Sequence, residues 1–176
     1  MRNNKAHTLV EILVASTILV LLFAFVLGAF VFTKGVSYFS IAEYNLQRDA
    51  NILMGKIIRG MSEQGGHFGL RSSASFILPV TNPAGSEIDF VGTDARTRKY
   101  FLSGRSVVYE SPFQVPVQKS VFTAAADAGV ILRFWEPAGY PDHQVVGIYI
   151  SISRQMGMRT VIGSLTTYVS LKNMPK

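Results

Sequence analysis

The chain has 176 residues, 48% of them hydrophobic, and its mean hydropathy of +0.27 is too high for an ordinary soluble domain. It contains no cysteine, which excludes a disulfide bond and a cysteine-based metal site. The formal net charge is +6, and Arg2 and Lys5 supply two of these charges, so charge alone gives little support for a nucleic-acid-binding protein.

The chain begins with a short basic leader and a long apolar run. No charge interrupts the stretch from Ile12 to Phe32, which is long enough to cross a bilayer, because a membrane-spanning helix needs roughly 20 apolar residues. A secretory signal has a shorter apolar core and a small-residue cleavage site, and neither fits here. The basic residues Arg2 and Lys5 precede the run, which predicts a cytoplasmic N-terminus and a domain on the other side.

The pattern downstream of the apolar run predicts that the helix continues. No proline occurs from Lys34 to Gln64, and apolar residues recur at mostly three- and four-residue steps, namely Ile41, Leu46, Ala50, Leu53, Ile57 and Met61. We therefore predict one helix from Thr8 to Gln64, stopped by Gly65, Gly66 and Gly69. Its first half would lie in lipid, and a folded domain would cover its second half.

The rest of the chain changes to the two-residue period of β-strands after a loop-rich connector at 68–83. The predicted strands are Glu87–Val91, Lys99–Leu102, Ser106–Glu110, Val130–Trp135, Val145–Ser153 and Thr160–Leu171. Pro112 and Pro116 argue against a central strand between the third and fourth of these. The sequence therefore predicts an α+β fold, in which the second half of a long N-terminal helix packs on an antiparallel β-sheet.

Glu11 is the acid at the edge of the apolar run. A carboxylate in such a position costs roughly 2.5 to 3.5 kcal/mol on insertion scales unless it is paired. The dipole of the helix returns only about 0.3 to 1 kcal/mol. The residue therefore indicates a partner or a function, although it could also lie among lipid headgroups as an ordinary interfacial residue.

The segment Ala6-His7-Thr8-Leu9-Val10-Glu11, behind a basic leader and ahead of an apolar helix, resembles the processing motif of type IV pilins and type II secretion pseudopilins. In that family a small residue, usually Gly, precedes Phe-Thr-Leu-x-Glu. The resemblance implies cleavage by a prepilin peptidase between Ala6 and His7 and N-methylation of His7. It also implies that Glu11 pairs with the new amine of a neighbouring subunit and fixes the register of assembly. Ala6 and His7 stand where the family usually has Gly and Phe.

The rest of the chain extends the resemblance, and the strand pair EIDFV and KYFLSG is similar to J-type pseudopilins and W-type minor pilins. This implies a pilin-like fold with a leader at 1–6, a transmembrane half-helix at 7–33, an amphipathic half-helix at 34–64 and a sheet domain at 65–176. The implied function is a minor structural subunit in a tip or initiating complex. It would lie in the bacterial inner membrane with a single pass and a periplasmic or extracellular domain. The implied partners are other pilins or pseudopilins, the prepilin peptidase, the inner-membrane assembly platform, and lipid along 12–32.

Two alternatives stay open at this point. One is a single-pass anchor protein that binds a partner without polymerising. The other is a DNA-binding minor pilin of a competence system, in which the basic cluster contacts phosphates; the cluster comprises Arg96, Arg98, Lys99 and Arg105. Charges on an exposed hairpin are the more ordinary explanation of that cluster.

Catalysis and metal binding find no support in the sequence. No nucleophile and base pattern, phosphate loop or metal motif is present, and His7, His67 and His143 do not have metal-ligand spacing. We therefore expect no enzyme activity, no cofactor and no metal.

Overall fold

The computed structural model of the chain describes residues 8–63, 66–78, 85–112, 116–140 and 144–171. The chain divides into two compact units, Met1–Ile41 and Ala42–Lys176. A single helix, α1, covers Leu9–Arg59 and so belongs to both units.

The first unit consists of the apolar part of α1. Every side chain from Thr8 to Lys34 is exposed within the chain. The hydroxyl groups of this segment donate hydrogen bonds back to carbonyl oxygens of the preceding turn: Thr17 Oγ1 to Leu13 O at 2.8 Å and Thr33 Oγ1 to Ala29 O at 2.8 Å. Because these hydroxyls are satisfied within the helix, they add little polarity to its surface.

The helix ends at Arg59, earlier than the predicted end at Gln64. The reason is Gly60, whose φ of +93° is a left-handed conformation that favours glycine. Its N–H group donates a hydrogen bond to Lys56 O at 2.8 Å, which completes the last turn. A Cβ atom on Gly60 would also collide with the backbone of Phe68. The helix therefore ends where the backbone conformation and the close contact with Phe68 both require a glycine.

The second unit contains ten strands and a short 3₁₀ helix among its described residues. In chain order they are β1 Met61–Glu63, β2 Gly66–Phe68, the 3₁₀ helix Leu70–Ser72, β3 Ser75–Ile77, β4 Glu87–Val91, β5 Thr97–Ser103, β6 Ser106–Glu110, β7 Gln118–Thr123, β8 Ala128–Trp135, β9 Val145–Met156 and β10 Arg159–Ser170. They form antiparallel sheets with the orders β1-β2, β3-β4-β5-β6-β7 and β10-β9-β8.

The six strands predicted from the sequence are all present, and β4 and β6 have the predicted bounds. The prediction missed β7, because Pro112 and Pro116 suggested a loop. The strand begins after Pro116 and lies at the edge of the five-stranded sheet, where a nearby proline removes no central ladder bond. The connector at 68–83 also contains β3, which the loop-rich composition hid.

The core of the second unit lies between α1 and the two larger sheets. The helix contributes a buried stripe consisting of Leu46, Ala50, Leu53, Met54 and Ile57. The contact with β10 is close enough that a Cβ atom on Gly163 would lie 2.6 Å from the backbone nitrogen of Gln47. The stripe confirms most of the predicted helix face, but Ile41 is 60% exposed and lies outside the core. The predicted α+β fold, a long helix packed on antiparallel sheets, is confirmed.

Candidate functional site

The start of α1 is fixed by two reciprocal hydrogen bonds between Thr8 and Glu11. Thr8 N donates to Glu11 Oε2 at 2.9 Å, and Glu11 N donates to Thr8 Oγ1 at 3.3 Å. This is a capping box, in which a threonine and a glutamate three residues apart satisfy each other's backbone donors. Glu11 therefore has a local structural role, which the sequence analysis missed although the Thr-x-x-Glu spacing signals it.

A shallow depression lies beside Glu11 on the surface of the first unit. It is lined by Glu11, Ile12, Ala15, Ser16 and Leu19. The hydroxyl of Ser16 donates to Leu13 O at 2.9 Å, so it is satisfied within the helix. Small side chains one turn beyond the carboxylate leave room for another helix to approach, and such residues favour helix packing in lipid.

The length and composition of α1 are sufficient for a membrane span. Its most apolar window has a mean hydropathy of 2.8, and none of that window is buried inside the chain. Glu11 lies in the first turn of the helix, and no charged residue follows it until Lys34.

Residues 1–27 match the prokaryotic N-terminal methylation motif. This motif is the signal of type IV pilins and pseudopilins, and it supports a processed, pilin-like subunit held in the membrane by a single helix. No curated protein matches the chain, and no solved structure matches it. The methylation motif includes the predicted cleavage site, Ala6 and His7, which lies outside the described residues.

Arg98, one member of the basic cluster, is buried in the second unit. Its side chain is 1% exposed and forms ion pairs with Glu63 Oε2 at 3.0 Å and Asp94 Oδ2 at 2.8 Å. The guanidinium also stacks over the ring of Phe68, 3.8 Å from its centroid. The prediction that Arg98 could contact DNA phosphates is therefore wrong, because two carboxylates occupy its donors and the protein excludes solvent around it.

The ion cluster joins four elements of the second unit. Glu63 follows the helix on β1, Arg98 lies on β5, Asp94 lies in the turn before it, and Tyr109 on β6 donates its hydroxyl to Glu63 Oε1 at 2.5 Å. No motif in the sequence indicated this cluster, because Glu63 and Arg98 are 35 residues apart. It attaches the segment that follows α1 to the five-stranded sheet.

The hydrogen bonds of the cluster shift the pKa values of its members. Burial opposes ionisation of Glu63, but the hydrogen bonds from Tyr109 and Arg98 outweigh it and hold the pKa of Glu63 below its ordinary value. The hydrogen bond from Arg98 lowers the pKa of Asp94 to about 2. Burial, together with the bond to Glu63, raises the pKa of Tyr109. At neutral pH the cluster consists of two carboxylates, one guanidinium and a neutral phenol.

Of the other three members of the basic cluster, Arg96 contacts this ion cluster through its backbone: its N–H group donates to Asp94 Oδ1, and its carbonyl oxygen accepts from Arg98. Lys99 bonds to Glu87 Oε1 at 2.5 Å and lies 3.7 Å from Asp89 Oδ1, which places it in an acidic surrounding. Arg105 donates to the carbonyl oxygens of Ala125 and Ala126. Arg96 is exposed. DNA contact by Arg96, Lys99 and Arg105 stays a prediction, now without its central residue.

Metal ligands do not cluster in the part of the chain that the structure describes. No group of three or more His, Asp or Glu side chains is suitably arranged to hold a metal ion there. Two loop aspartates are in ion pairs, Asp94 with Arg98 at 2.8 Å and Asp127 with Arg154 at 2.7 Å.

Proposed function

We propose that this protein is a minor subunit of a type IV pilus or type II secretion pseudopilus, processed at its N-terminus and assembled with other pilin-like subunits. The match of residues 1–27 to the methylation motif carries the proposal. The motif stands at the head of a helix that is apolar enough to span a membrane and that continues into a domain of antiparallel sheets. The similarity of EIDFV and KYFLSG to J-type and W-type members supports a place in a tip or initiating complex.

Processing would change the chemistry around Glu11. A prepilin peptidase would cut between Ala6 and His7, and methylation would follow on the new amine of His7. Glu11 would then be the fifth residue of the mature chain, and Thr8 the second. The capping box would keep the helix intact up to the new terminus.

Assembly would use Glu11 as an acceptor for the amine of a neighbouring subunit. A carboxylate offers about four acceptor positions, so the hydrogen bond from Thr8 is compatible with an ammonium partner. In an apolar surrounding such an ion pair is strong, and it can form only when the helices reach one axial register. Ala15 and Ser16 beside Glu11 would allow the close approach that this pairing needs.

The topology that fits this function has the leader in the cytoplasm and the sheet domain in the periplasm. Arg2 and Lys5 precede the span and support this orientation. The assembly platform of the inner membrane and the prepilin peptidase would act on the chain in this state. A single-pass anchor protein that never polymerises remains the competing function, and it makes opposite predictions for the mature terminus.

Mass spectrometry of the mature N-terminus tests the proposal. The expected result is a chain that begins at methylated His7 in cells with the peptidase and at Met1 in cells without it. A chain that keeps Met1 in both strains would overturn processing and favour the anchor protein.

A Glu11→Gln variant separates processing from assembly. We expect normal membrane insertion but at least tenfold less co-purification with sheared filaments, because the amide has no charge to pair with an ammonium. Glu43→Gln is the matched control, since Glu43 is an exposed acid further along the same helix. Equal incorporation of both variants would contradict the role of Glu11.

A further inference from the structure

The two larger sheets have outward faces of different chemistry. The outward face of the five-stranded sheet carries a set of half-buried charged residues, namely Glu87, Asp89, Lys99 and Glu110. The outward face of the three-stranded sheet carries a single charge, Arg133. By strand register the same face also includes Gly129, Ile131, Trp135, Val145, Gly147, Tyr149, Ser151, Ser153, Gln155, Thr160, Ile162, Ser164, Thr166, Tyr168 and Ser170. Three of these, Val145, Gly147 and Ser151, are buried. Exposed edge strands usually carry several charges, so this composition indicates a binding surface.

An aromatic pair lies at one end of this face. Trp135 on β8 and Tyr168 on β10 flank Gly147 on the central strand. A Cβ atom on Gly147 would collide with the indole, so the indole lies across the glycine. The edge-to-face contact with Tyr168 has a centroid distance of 5.9 Å and an interplanar angle of 82°. One face of the indole therefore packs on the sheet, and the other is turned toward solvent.

A row of three cross-strand neighbours, Arg133, Tyr149 and Thr166, lies next to the aromatic pair. Tyr149 is the cross-strand neighbour of both Arg133 and Thr166. Residues two apart on a strand are separated by about 6.6 Å, so Arg133 and Trp135 are within reach of one small ring. Together with Ile131 and Tyr149 they line a shallow depression of about 470 Å³.

The polar groups of this surface are available to a ligand. Among the described residues the structure shows no hydrogen bond to the guanidinium of Arg133, the indole N–H of Trp135, or the hydroxyls of Tyr149 and Tyr168. Arg98 shows the contrast, since two carboxylates of the same chain occupy it. Exposed aromatic rings with free donors are suited to a partner that is apolar on one side and polar at its rim.

We propose that this surface, formed by Arg133, Trp135, Tyr149 and Tyr168, binds a glycan that carries carboxylate groups. The C–H face of a sugar ring would stack on the indole, with dispersion and loss of apolar contact with water as the driving terms. Arg133 would hold the carboxylate of the same or the next sugar through its two-pronged fork. The hydroxyl of Thr166, which is exposed on the same face, would bond to the sugar's own hydroxyl groups.

The charge of the surface favours a glycan over a nucleic acid. Proteins that bind single-stranded nucleic acids combine stacking residues with a positive groove that follows the phosphates. Here one cation stands among neutral hydroxyls and aromatic rings, which matches a ligand with sparse negative charge and many hydroxyl groups. The proposal depends on neither processing nor assembly, so its outcome is independent of the function proposed above.

Trp135 is the only tryptophan in the chain, so its fluorescence reports on this surface directly. The experiment uses the full chain in a detergent without a sugar headgroup. The probes are trigalacturonate, trimannuronate and a hyaluronan tetrasaccharide, each compared with its neutral methyl ester. We expect a saturable change in Trp135 emission with at least one acid, and roughly tenfold weaker binding of its ester.

Two variants and two controls locate the site. Arg133→Gln should abolish the preference for the acid while leaving the affinity for the ester unchanged, and Tyr149→Ala should weaken both. Arg48→Gln and Tyr44→Ala change the same residue types at exposed positions of α1 and should change neither affinity. The proposal is overturned by no response to any of the acids or by an unchanged preference in Arg133→Gln. It is also overturned if a thymidine decanucleotide or a protein partner binds Trp135 more tightly than every acid.

Discussion

The two units of this chain differ in where their side chains find partners. In the first unit every side chain from Thr8 to Lys34 is exposed, and the hydroxyls of Ser16, Thr17 and Thr33 donate to carbonyl oxygens of the same helix. In the second unit a core is buried, and even the guanidinium of Arg98 is enclosed. The same helix passes through both, so secondary structure does not cause the difference. The surface of the first unit suits apolar surroundings that the chain does not supply, whereas the second unit supplies its own folding free energy.

The largest test of this contrast is Arg98→Ala. The change leaves the carboxylate of Glu63, whose side chain is 0% exposed, without its guanidinium partner. Breaking a buried ion pair costs about 3 to 5 kcal/mol, a large part of the stability of a small domain. Thermal unfolding of the full chain, followed by Trp135 fluorescence, should show a lower midpoint. The circular dichroism of the first unit's helix in micelles should persist above that midpoint.

Two further variants control the Arg98 experiment. Arg98→Lys keeps the charge but loses the forked geometry, so its cost should be smaller than that of alanine. Arg48→Ala removes an arginine whose side chain is 57% exposed and pairs with Asp49, and exposed pairs contribute about 0 to 1 kcal/mol. Equal midpoints for Arg98→Ala and Arg48→Ala would show that the buried cluster does not stabilise the second unit.

A second test compares a glycine within α1, Gly55, with the glycine that follows its last residue, Gly60. Gly60→Ala places a side chain at a φ of +93° and against the backbone of Phe68, and should destabilise the second unit by about 2 kcal/mol. Gly55→Ala meets no atom within 4 Å and replaces a helical glycine, so it should stabilise by about 0.5 to 1 kcal/mol. Chemical denaturation of both variants measures whether each change lowers or raises the free energy of unfolding. Stabilisation by Gly60→Ala would refute Gly60 as the residue that ends the helix.

The glycines also show which parts of the fold could be predicted. Apolar periodicity predicted most of the buried helix face and six of the ten described strands, because these patterns are local. The helix end was misplaced, since three later glycines looked equally suitable and only the contact with Phe68 distinguishes Gly60. β7 was hidden because the flanking prolines of an edge strand look like those of a loop.

The N-terminal motif and the buried Glu63–Arg98 cluster also differ in how far they could be predicted from the sequence. The methylation motif is contiguous in sequence and includes Glu11, so the resemblance found it, and residues 1–27 match that motif. The capping bond from Thr8 to Glu11 was equally local and was overlooked. The Glu63–Arg98 cluster depends on a pairing across 35 residues, and the cluster of basic residues in the sequence suggested an exposed surface instead. Proximity created by the fold, unlike spacing in the chain, leaves no pattern in a single sequence.

A third test uses pH. The folded pKa of Asp94 is about 2, below its ordinary value of 3.8, so its contribution to stability is complete above 3.8 and is lost as the pH falls through 2. The lowered pKa of Glu63 acts in the same direction. Asp94→Asn should lower the free energy of unfolding by about 1 kcal/mol at pH 7, a figure reduced because Asp94 is partly exposed. Near pH 2 the stability of the variant should approach that of the wild type.

The Asp94 experiment is measured by urea midpoints of the full chain at several pH values. Asp127→Asn is the control, because Asp127 pairs with Arg154 at the surface, and the change in midpoint should be smaller. A wild type and an Asp94→Asn variant that differ by the same amount at pH 7 and pH 2 would contradict the assignment.

The test with the smallest expected effect compares Asp89 in the second unit with Glu11 in the first. Burial, with repulsion from Glu87 and Glu110, raises the pKa of Asp89 despite Lys99, and its Oδ1 atom accepts no hydrogen bond within the described structure. A raised pKa means that the folded state disfavours the charged form above that pKa. Asp89→Asn should therefore stabilise the second unit by about 0.5 kcal/mol at pH 7, with the gain vanishing below about pH 4.

Glu11→Gln provides the matching change in the first unit. Glu11 is an exposed residue of the first unit that exchanges capping hydrogen bonds with Thr8, so its neutralisation should leave the unfolding midpoint of the second unit unchanged at every pH. Its effect should occur in filament incorporation instead, where Asp89→Asn should have none. A shift of the midpoint by Glu11→Gln would mean that the two units share folding free energy through α1. The division between a unit that folds and a unit that associates would then fail.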